Sequence, residues 1–314
     1  MGEHSTDDRS EVSILLPTVE WTNACDQMAA QLHEKDELFV ICDTEDDPVA
    51  SHDPPADVEV LVAGEPVGCS GKANAMAHGM EQASNDRFVW TDADFERDDD
   101  WLDQLVAAGE RHGPATAVPF WYGDGAWSVL EPWTVMFSTL LIYFGVGSTG
   151  NIGWGGGLTF TREELNTTVE TLTTELRQVL SDDGLLSQHV DNFHAVRSLV
   201  MPVEVPGDVR STYSRLVRFN RLTHVHEGMT GDLAVSLILT GAAAAFPIVI
   251  ALAVTVLTGG AYAVLGLRRR TFLLSFLGLF LVPLSVLAGM FVSEFEWAGR
   301  RYRLNGEYDV DVLE

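Results

Sequence analysis

The sequence predicts an α/β domain with a mainly parallel sheet, followed by C-terminal transmembrane helices. From residue 12 to about 228, short apolar runs typical of strands alternate with segments of helical pattern, as in chains built from βαβ units. From Leu233 onward, about 35 residues pass without a charge, and about 20 apolar residues are enough to span a bilayer. We therefore divide the chain into a flexible acidic N-terminus (1–11), an α/β domain (12–228), transmembrane helices (229–293) and a basic, aromatic juxtamembrane tail (294–314).

The first hundred residues supply strands and helices in alternation. The predicted strands are Val12–Pro17, Glu37–Asp43, Asp57–Ala63 and Arg87–Asp92, and the predicted helices between them are Asn23–His33 and Lys72–Gln82. No repeat of fixed period is present, which excludes a solenoid.

The composition is strongly acidic. Asp and Glu number 46 against 19 Lys and Arg, for a net charge of −27. A polyanion would be repelled, which excludes nucleic acid as a partner. Lysine occurs only at Lys35 and Lys72. This balance is typical of proteins adapted to high salt, where screening relieves repulsion among surface carboxylates.

Three cysteines without a C-x-x-C spacing indicate neither a disulfide framework nor a zinc site. The polar N-terminus lacks the apolar region of a signal peptide. We expect the globular part to remain in the cytoplasm.

Two membrane spans are the simplest count, because a second apolar run of about 23 residues follows the basic cluster Arg268–Arg270. Pro247 or Gly259–Gly260 could divide the first run, which would give three spans or a re-entrant pair. The basic clusters give conflicting signals for these alternatives: RRR at 268–270 favours a cytoplasmic connection, and GRRYR at 299–303 favours a cytoplasmic tail after two spans. The aromatic stretch Val129–Gly147 is predicted to be a re-entrant or interfacial helix.

Acidic residues follow strands or turns at three places: Asp43, Asp92 with Asp94, and Asp182 with Asp183. Ligands of open α/β sheets bind beyond the carboxyl ends of the strands, so the first two places predict one shared crevice. Clustered carboxylates oppose each other's ionisation unless a cation lies between them, which indicates a metal site.

The Gly71-Lys72 pair opens the helix that leads into the strand before Asp92. Backbone N–H groups at a helix N-terminus favour anions, so this lysine is predicted to face a phosphate. The alternative is a lysine that starts a helix and binds no ligand.

These motifs resemble the family 2 glycosyltransferases, and in particular the membrane-bound branch related to ceramide glucosyltransferases. The similarity runs from VSILLPT nearly to the C-terminus, with the motifs in family order: Asp43, GKANAM (71–76), DAD (92–94), GWGGGLTFTREEL (153–165) with its basic Arg162, Asp182–Asp183, RLVRF (215–219) and WAGRRYRLNG (297–306).

The resemblance implies a GT-A fold and an inverting transfer of a sugar from a nucleotide-diphosphate donor to a lipid or lipid-linked acceptor at the cytoplasmic face of the cell membrane. It implies Asp183 as catalytic base and Mg²⁺ or Mn²⁺ held by Asp92 and Asp94. It further implies nucleotide-sugar contacts from Thr18, Asp43, Lys72, Asp92, Arg215 and Arg218, and acceptor-side contacts from Gly156, Phe219 and Asp182.

The sequence departs from the family pattern at three points. Asp46 or Asp47 could take the role given to Asp43, and Phe219 stands where the family has tryptophan, so the indole N–H donor is lost. The N-terminal membrane span of ceramide glucosyltransferases is not present. The RLVRF segment has a second interpretation as a basic patch on anionic lipid.

Two other classes of function compete. A sugar nucleotidyltransferase would need a glycine-rich phosphate loop after the first strand, which LLPTVEWTNACD does not offer. A non-catalytic membrane scaffold with a degenerate domain would have lost the expected acids, and all of them are present. His189 and His194 are expected to be surface or packing residues, and GWGGG is not a dinucleotide fingerprint.

Overall fold

The computed structural model describes residues 9–144, 152–227 and 230–313. Within these residues the chain forms two compact units. Unit 1 takes its described residues from Met1–Pro119 and Thr149–Met201, and unit 2 takes its described residues from Phe120–Ser148 and Pro202–Glu314. The predicted boundary near residue 228 differs from this division, because the chain enters unit 2 first at residue 120 and again at residue 202.

The sheet that organises unit 1 begins with four parallel strands, β1 (Val12–Pro17), β2 (Glu37–Cys42), β3 (Val58–Val62) and β4 (Arg87–Thr91). β4 is buried along its whole length, as expected for an apolar strand covered on both faces. The strands added later are β5 (Ala115–Tyr122), β6 (Gly157–Thr161) and β7 (His194–Glu204), and the order is β3-β2-β1-β4-β6-β5-β7.

Strand β6 is antiparallel to both β4 and β5. The α/β class with a mainly parallel sheet is therefore confirmed, with one reversed strand that the sequence did not indicate. The reversal brings Gly157, at the start of β6, opposite Thr91, at the end of β4.

The helices of unit 1 are α1 (Asn23–Ala29), α2 (Gly71–Gln82), α3 (Trp101–His112), α5 (Val169–Leu176) and α6 (Asp182–His189); α4 (Glu131–Phe144) belongs to unit 2. Helix α1 ends four residues before the predicted His33. Helix α2 begins where the Gly71-Lys72 pair predicts, and the Ser70 hydroxyl caps it by accepting the N–H of Ala73 at 3.0 Å.

Unit 2 adds the long polar helix α7 (Val209–Glu227) and three apolar helices, α8 (Thr230–Ala245), α9 (Pro247–Val264) and α10 (Ser275–Phe291). The first apolar run breaks at Phe246, where ψ is 58°, and Pro247 occupies the first turn of α9. Of the two predicted breakpoints, the chain uses the proline, while Gly259–Gly260 lies inside α9.

Two segments of the described chain are long and apolar enough to cross a membrane. They are Pro247–Val264 and Thr271–Phe291, with mean hydropathies of 2.0 and 2.3. Only 17% and 33% of them are buried, whereas the core helix of a soluble protein would be mostly covered.

The predicted tail is an antiparallel sheet of β8 (Glu294–Trp297), β9 (Arg300–Gly306) and β10 (Asp309–Leu313). Its pleat buries Phe295, Tyr302, Leu304 and Val310. The stretch predicted as a re-entrant or interfacial helix contains α4, and its last residues, 145–147, lie outside the described part of the chain.

Candidate functional site

The candidate site is built at the carboxyl end of β4. Asp92 directly follows this strand, and its backbone N–H donates to the carbonyl of Gly156 at 3.3 Å. The Thr91 hydroxyl donates to the same carbonyl at 3.1 Å. The reversed strand β6 therefore fixes the glycine segment beside the first acid of the DAD motif.

Arg97 holds the turn that carries Asp92 and Asp94. Its guanidinium is buried and donates to the Thr91 hydroxyl at 2.5 Å, to the Phe95 carbonyl at 3.1 Å and to the Asp92 carbonyl. It also lies 3.9 Å from the centroid of the Phe95 ring. Burial lowers the pKa of Arg97 to about 10, against the charges of Asp92 and Asp94, so the guanidinium stays charged at neutral pH.

Lys72 joins two of the acidic motifs. Its ammonium lies 2.7 Å from Asp92 Oδ1 and 3.2 Å from Asp182 Oδ2, and only 15% of the side chain is exposed. Lys72, which was predicted to face a phosphate, thus pairs with carboxylates that lie 20 and 110 residues further along the chain. A role toward a diphosphate stays a prediction.

The acidic pair starts helix α6. Asp183 is held by three donors: the Ser181 hydroxyl at 2.7 Å and the N–H of Gly184 at 2.9 Å reach Oδ1, and the N–H of Gly155 reaches Oδ2 at 3.3 Å. Asp182 is buried, its Oδ2 accepts no hydrogen bond of good geometry within the described residues, and the Lys72 ammonium lies 3.2 Å from this oxygen. The two neighbours therefore lie in different environments.

The charges in this cluster are strongly coupled. Burial raises the pKa of Asp182 to about 7, and the charges of Asp183 and Asp92 act in the same direction, against Lys72. Burial alone would lower the pKa of Lys72, but Asp182, Asp92 and Asp183 outweigh it and raise that pKa above its ordinary value. One ammonium interacts with three carboxylates, so the electrostatics of this cluster favour the binding of a further cation.

Two glycines allow these groups to approach. A Cβ atom at position 155 would lie 2.6 Å from Asp182 Oδ2, and one at position 156 would lie 2.3 Å from the Trp154 ring and 2.8 Å from Asp92 Oδ2. Real Cβ atoms do not come this close to neighbours. A larger residue at either position would therefore force the neighbouring side chains to shift.

Asp43 lies at the end of β2, beside the start of α2. A Cβ atom at Gly71 would lie 3.0 and 3.1 Å from its two carboxylate oxygens. Asp47, one of the two alternatives, instead accepts the N–H groups of Asp43 and Thr44 at 3.0 and 2.7 Å, and Asp46 is exposed. The geometry therefore favours Asp43 as the acid that faces the helix N-terminus.

Thr18 follows β1, and its backbone N–H donates to the Ile41 carbonyl at 2.9 Å. Its hydroxyl donates to the Glu20 carbonyl at 2.8 Å, which shapes the turn after the strand. Its predicted contact with a nucleotide is untested by this geometry.

Asp92 and Asp94 are the residues predicted to bind a divalent cation. Within residues 9–144, 152–227 and 230–313, no group of three or more His, Cys, Asp or Glu side chains is arranged to hold a metal. Asp92 and the exposed Asp94 offer two hard carboxylates at one turn, and Asp92 Oδ1 is already paired with Lys72. Mg²⁺ is commonly held by one or two carboxylates together with phosphate oxygens and water, so this pair fits a cation that a diphosphate helps to bind.

Arg215, Arg218 and Phe219 all lie on α7 in unit 2. The Arg218 guanidinium lies 4.6 Å from the Trp297 ring centroid, and Arg215 lies 6.0 Å from that of Trp127. Phe219 packs against Trp121 at 5.4 Å. Both arginines line a groove of about 400 Å³ that also includes Arg210 and Glu296. Their roles toward donor or acceptor stay predictions.

His189 and His194, which were predicted to be surface or packing residues, each contact a neighbouring side chain. His189 Nε2 lies 2.6 Å from Glu175 Oε2, and the ring of His194 stacks on His112 at 4.0 Å. Sequence reasoning missed Arg97 as a part of the site, and it named Trp154 and Gly155 only as members of the motif at 153–165. An arginine set among aromatic residues within an acidic run was the available signal for Arg97.

An α/β unit with acids gathered beyond a parallel strand and beside a helix N-terminus has the architecture of a nucleotide- or phosphate-binding enzyme domain. Residues 22–162 match the family described as Glycosyl transferase family 2. The matched range covers less than half of the chain and includes Asp43, Lys72, Asp92, Asp94 and Gly156. No curated protein sequence matches this chain.

Solved structures also show some similarity. Glucosyl-3-phosphoglycerate synthase from Mycobacterium tuberculosis, in complex with phosphoglyceric acid, is 15% identical over 62% of this chain and 70% of that chain, with a TM-score of 0.36. The same enzyme has a structure with Mn²⁺, uridine diphosphate and glucosyl-3-phosphoglycerate, at 14% identity over the same shares of the two chains and the same TM-score. S. aureus TarS 1–349 is 12% identical over 97% of this chain and 99% of that chain, also at 0.36. At TM-scores this low, the likenesses carry no weight in the function argued below.

Proposed function

We propose that this protein is an inverting glycosyltransferase that moves a sugar, a hexose in the simplest case, from a nucleotide-diphosphate donor to a lipid or lipid-linked acceptor. The observation that carries the proposal is the cluster of Lys72, Asp92, Asp182 and Asp183 around Gly155, in a chain whose residues 22–162 match the Glycosyl transferase family 2 model. Within the family, we place it in the membrane-bound branch that resembles ceramide glucosyltransferases.

The donor side of the site would bind the nucleotide diphosphate. Thr18, Asp43 and Asp92 lie at or just beyond the ends of the parallel strands, where ligands of such sheets bind. Lys72 supplies positive charge beside Asp92. Arg215 and Arg218 are proposed as further ligands of the diphosphate, since a guanidinium can donate two parallel hydrogen bonds to phosphate.

The leaving diphosphate gains negative charge as the glycosidic bond breaks, and groups already placed beside it stabilise that charge most. A divalent cation held by Asp92 and Asp94 would supply part of this stabilisation. The ammonium of Lys72 is already held next to Asp92 and would act on the same charge.

Asp183 is proposed as the base that accepts the proton of the acceptor hydroxyl. The donors at Gly155, Ser181 and Gly184 fix the direction of its carboxylate. Attack by the activated oxygen on the face opposite the leaving group would invert the anomeric carbon. Asp182, Gly156 and Phe219 are proposed to face the acceptor.

The apolar helices of unit 2 support a membrane location, with the catalytic residues on the cytoplasmic face. An enzyme attached to a bilayer meets amphiphilic acceptors at high local concentration, which favours a lipid or lipid-linked acceptor. The acidic composition is that of a halophilic protein, so we propose that activity be measured in high salt. Hydropathy favours a multi-pass arrangement of these helices, and an arrangement within one leaflet is the alternative.

The test is release of nucleoside diphosphate from a panel of nucleotide sugars by the full chain in detergent and high salt, with and without Mg²⁺ or Mn²⁺. Asp183→Asn should retain donor binding and lose transfer by at least about 100-fold, since general base catalysis contributes 10²- to 10⁴-fold. The exposed Asp57→Asn is the matched control and should keep full activity.

Other outcomes would support other functions. Consumption of a nucleoside triphosphate and a sugar phosphate, with release of pyrophosphate, would identify a sugar nucleotidyltransferase. Donor binding without turnover by the unmodified protein would favour the scaffold. Full transfer by Asp183→Asn would refute its assignment as base.

A further inference from the structure

We propose that unit 2 enters only one leaflet of the bilayer: α8 and α9 form a shallow hairpin, and α10 lies along the membrane surface instead of crossing it. The proposal rests on the membrane attachment proposed above. It departs from hydropathy, which counts α9 and α10 as spans. Contacts within unit 2 carry it.

Helices α8 and α9 fold back on each other. A continuous helix would place Thr240 and Thr258 about 27 Å apart. Yet the Thr240 hydroxyl donates to the Leu279 carbonyl at 3.2 Å, and the Thr258 hydroxyl reaches the Phe272 carbonyl at 3.4 Å. These carbonyls are seven residues apart, which is about 10 to 14 Å. The chain is therefore bent between the two threonines, and the helix breaks at Phe246, where ψ is 58°.

The tip of this hairpin is entirely apolar. Phe246, Ile248 and Val249 are 64%, 76% and 64% exposed, and no charged side chain lies between Asp232 and Arg268. A tip that reached water on the far side would carry polar residues. At this tip Phe246 N–H donates to the Ala242 carbonyl and Ile250 N–H to the Phe246 carbonyl, and Pro247 has no N–H to satisfy. Helix α8, at about 24 Å, is shorter than the roughly 30 Å hydrocarbon core.

The start of α10 is tied to polar groups. Arg269 forms an ion pair of 2.9 Å with the buried Glu131 and donates to the Gly123 carbonyl at 3.2 Å. The Trp133 indole N–H donates to the Ser275 carbonyl at 3.0 Å. This end of α10 therefore lies at the level of the 123–133 segment.

The far end of α10 is tied to polar groups as well. Gly289 packs so closely on α7 that a Cβ there would lie 2.3 Å from Asn220 Cβ. Just beyond α10, Glu296 pairs with Arg210 at 3.3 Å, and its carbonyl accepts the Ser214 hydroxyl at 3.0 Å. The partners on α7 move toward its N-terminus as α10 proceeds, so the two helices are antiparallel neighbours.

The two anchors belong to one hydrogen-bonded layer. Val205 N–H donates to the Tyr122 carbonyl at 2.9 Å, and Ala126 N–H donates to the Gly207 carbonyl at 2.8 Å. Backbone hydrogen bonds thus join segment 122–133 to segment 205–220. One end of α10 contacts the first segment, and the other end contacts the second. A crossing helix would carry its ends to opposite sides of the bilayer and would place its neighbour α7, with four arginines, within hydrocarbon, which is costly.

The surface of α10 suits a helix that lies in the plane of the bilayer. One face is buried and includes small residues (Ser275, Gly278, Leu279, Pro283, Val286 and Gly289). The opposite face exposes apolar side chains in its first ten residues and at its end (Leu277, Phe280, Leu281, Leu284 and Phe291). Because protein covers the buried face, the exposed apolar side chains are the part of α10 that is open to lipid. We infer acyl chains as their partner, because these side chains are accompanied by the exposed apolar helices α8 and α9 and are flanked by basic clusters.

This arrangement removes the conflict between the two basic clusters. Arg268–Arg270 and the arginines of β9 lie at opposite ends of α10, so any crossing by α10 places one cluster on the outer side. If α10 lies in the plane, both clusters face the cytoplasm, as the positive-inside rule and anionic lipid headgroups favour.

The first experiment is labelling with a membrane-impermeant maleimide in sealed vesicles that expose the cytoplasmic face. The native thiols can stay, because burial raises the pKa of Cys25, Cys42 and Cys69, the last to about 11, and thiols are unreactive. The control is Val67→Cys, because Val67 is 83% exposed in unit 1. The labelled fraction of Arg268→Cys and of Asp309→Cys should lie within about twofold of this control. The labelled fraction of Ile248→Cys should be about tenfold lower from either side of the membrane. Labelling of Arg268→Cys or Ile248→Cys only from the outer side would overturn the proposal.

A second measurement uses depth and does not depend on sidedness. Fluorophores on Leu277→Cys and Phe291→Cys should be quenched equally by lipids that carry quenchers at a given depth. A crossing helix would separate the two by about 21 Å in depth, and such a difference would overturn the proposal. Flotation of the unmodified protein with vesicles comes first: failure to float refutes membrane attachment itself, whereas flotation with the wrong labelling pattern refutes only this topology.

Discussion

Lys72 Nζ lies 2.7 Å from Asp92 Oδ1, so the lysine that opens α2 is held by the first acid after β4. The same ammonium lies 3.2 Å from the buried Asp182. One of the two lysines in the chain thus connects the proposed donor-binding acid with the acidic pair of α6. This link makes Lys72 both a structural counterion and the cation already in place beside the proposed diphosphate site.

Replacing this lysine should affect stability and activity together. Lys72→Met leaves buried carboxylates without their counterion, and breaking such a pair costs about 3 to 5 kcal/mol. We expect a lower thermal midpoint and a loss of nucleoside diphosphate release of at least about 100-fold. Lys72→Arg should retain the charge and more of the stability.

Lys35→Met is the matched control for this experiment. Lys35 is exposed and pairs with the half-exposed Glu11 at 2.8 Å, so its loss should change neither quantity. A Lys72→Met variant with unaltered donor turnover would contradict the assignment of Lys72 to the site.

The glycine segment gives a steric prediction. Gly156→Ala places a methyl group 2.3 Å from the Trp154 ring and 2.8 Å from Asp92, so the ring or the acid must move. We expect release of nucleoside diphosphate to fall by about 10- to 100-fold, because displacements of about 1 Å at reacting groups have effects of this size. Gly231→Ala, where a Cβ meets open space, is the control. Equal activity in both variants would show that the close approach at Gly156 has no catalytic consequence.

Much of unit 1 could be predicted from the sequence because its signals are local. The bounds of β1 agree residue for residue with the run VSILLP, and β4 ends one residue before Asp92. Buried parallel strands are continuous apolar runs, and the acids after them stand out against those runs. The presence of Asp43, Asp92 and Asp94 at strand ends therefore followed from pattern alone.

Contacts between distant segments could not be predicted in this way. The pairing of Gly155 N–H with Asp183 joins residues 28 apart, and it depends on β6 running antiparallel between β4 and β5. Local composition does not encode that register. For the tail, the sequence analysis predicted a basic and aromatic character but no strands. The alternation of apolar and polar residues in this segment also permits the sheet β8–β10.

Arg97 is the clearest residue that sequence reasoning missed, and it is also testable. Arg97→Lys keeps the charge but cannot serve the Thr91 hydroxyl and the Asp92 and Phe95 carbonyls together. We expect a destabilisation of about 1 to 3 kcal/mol, the cost of unpaired buried polar groups, and weaker donor binding. The exposed Arg111→Lys is the control. If Arg97→Lys unfolds at the same temperature as the unmodified protein, the turn does not depend on the guanidinium.

The raised pKa of Asp182, about 7, makes stability depend on pH in a known direction. Between about pH 4 and pH 7 the folded state retains a proton on this carboxyl that the unfolded chain has released. The contribution of Asp182 to the free energy of unfolding therefore falls as pH rises. The slope is at most about 1.4 kcal/mol per pH unit. Asp182→Asn cannot titrate and removes this term. The difference in free energy of unfolding, unmodified protein minus variant, should therefore decrease from pH 4 to pH 7 and level off above that range. Thermal or denaturant unfolding of both proteins at constant high salt measures it. The opposite slope would mean that Lys72 and the surrounding donors hold Asp182 ionised in the folded state, in which case its pKa is lowered and burial is not the dominant influence.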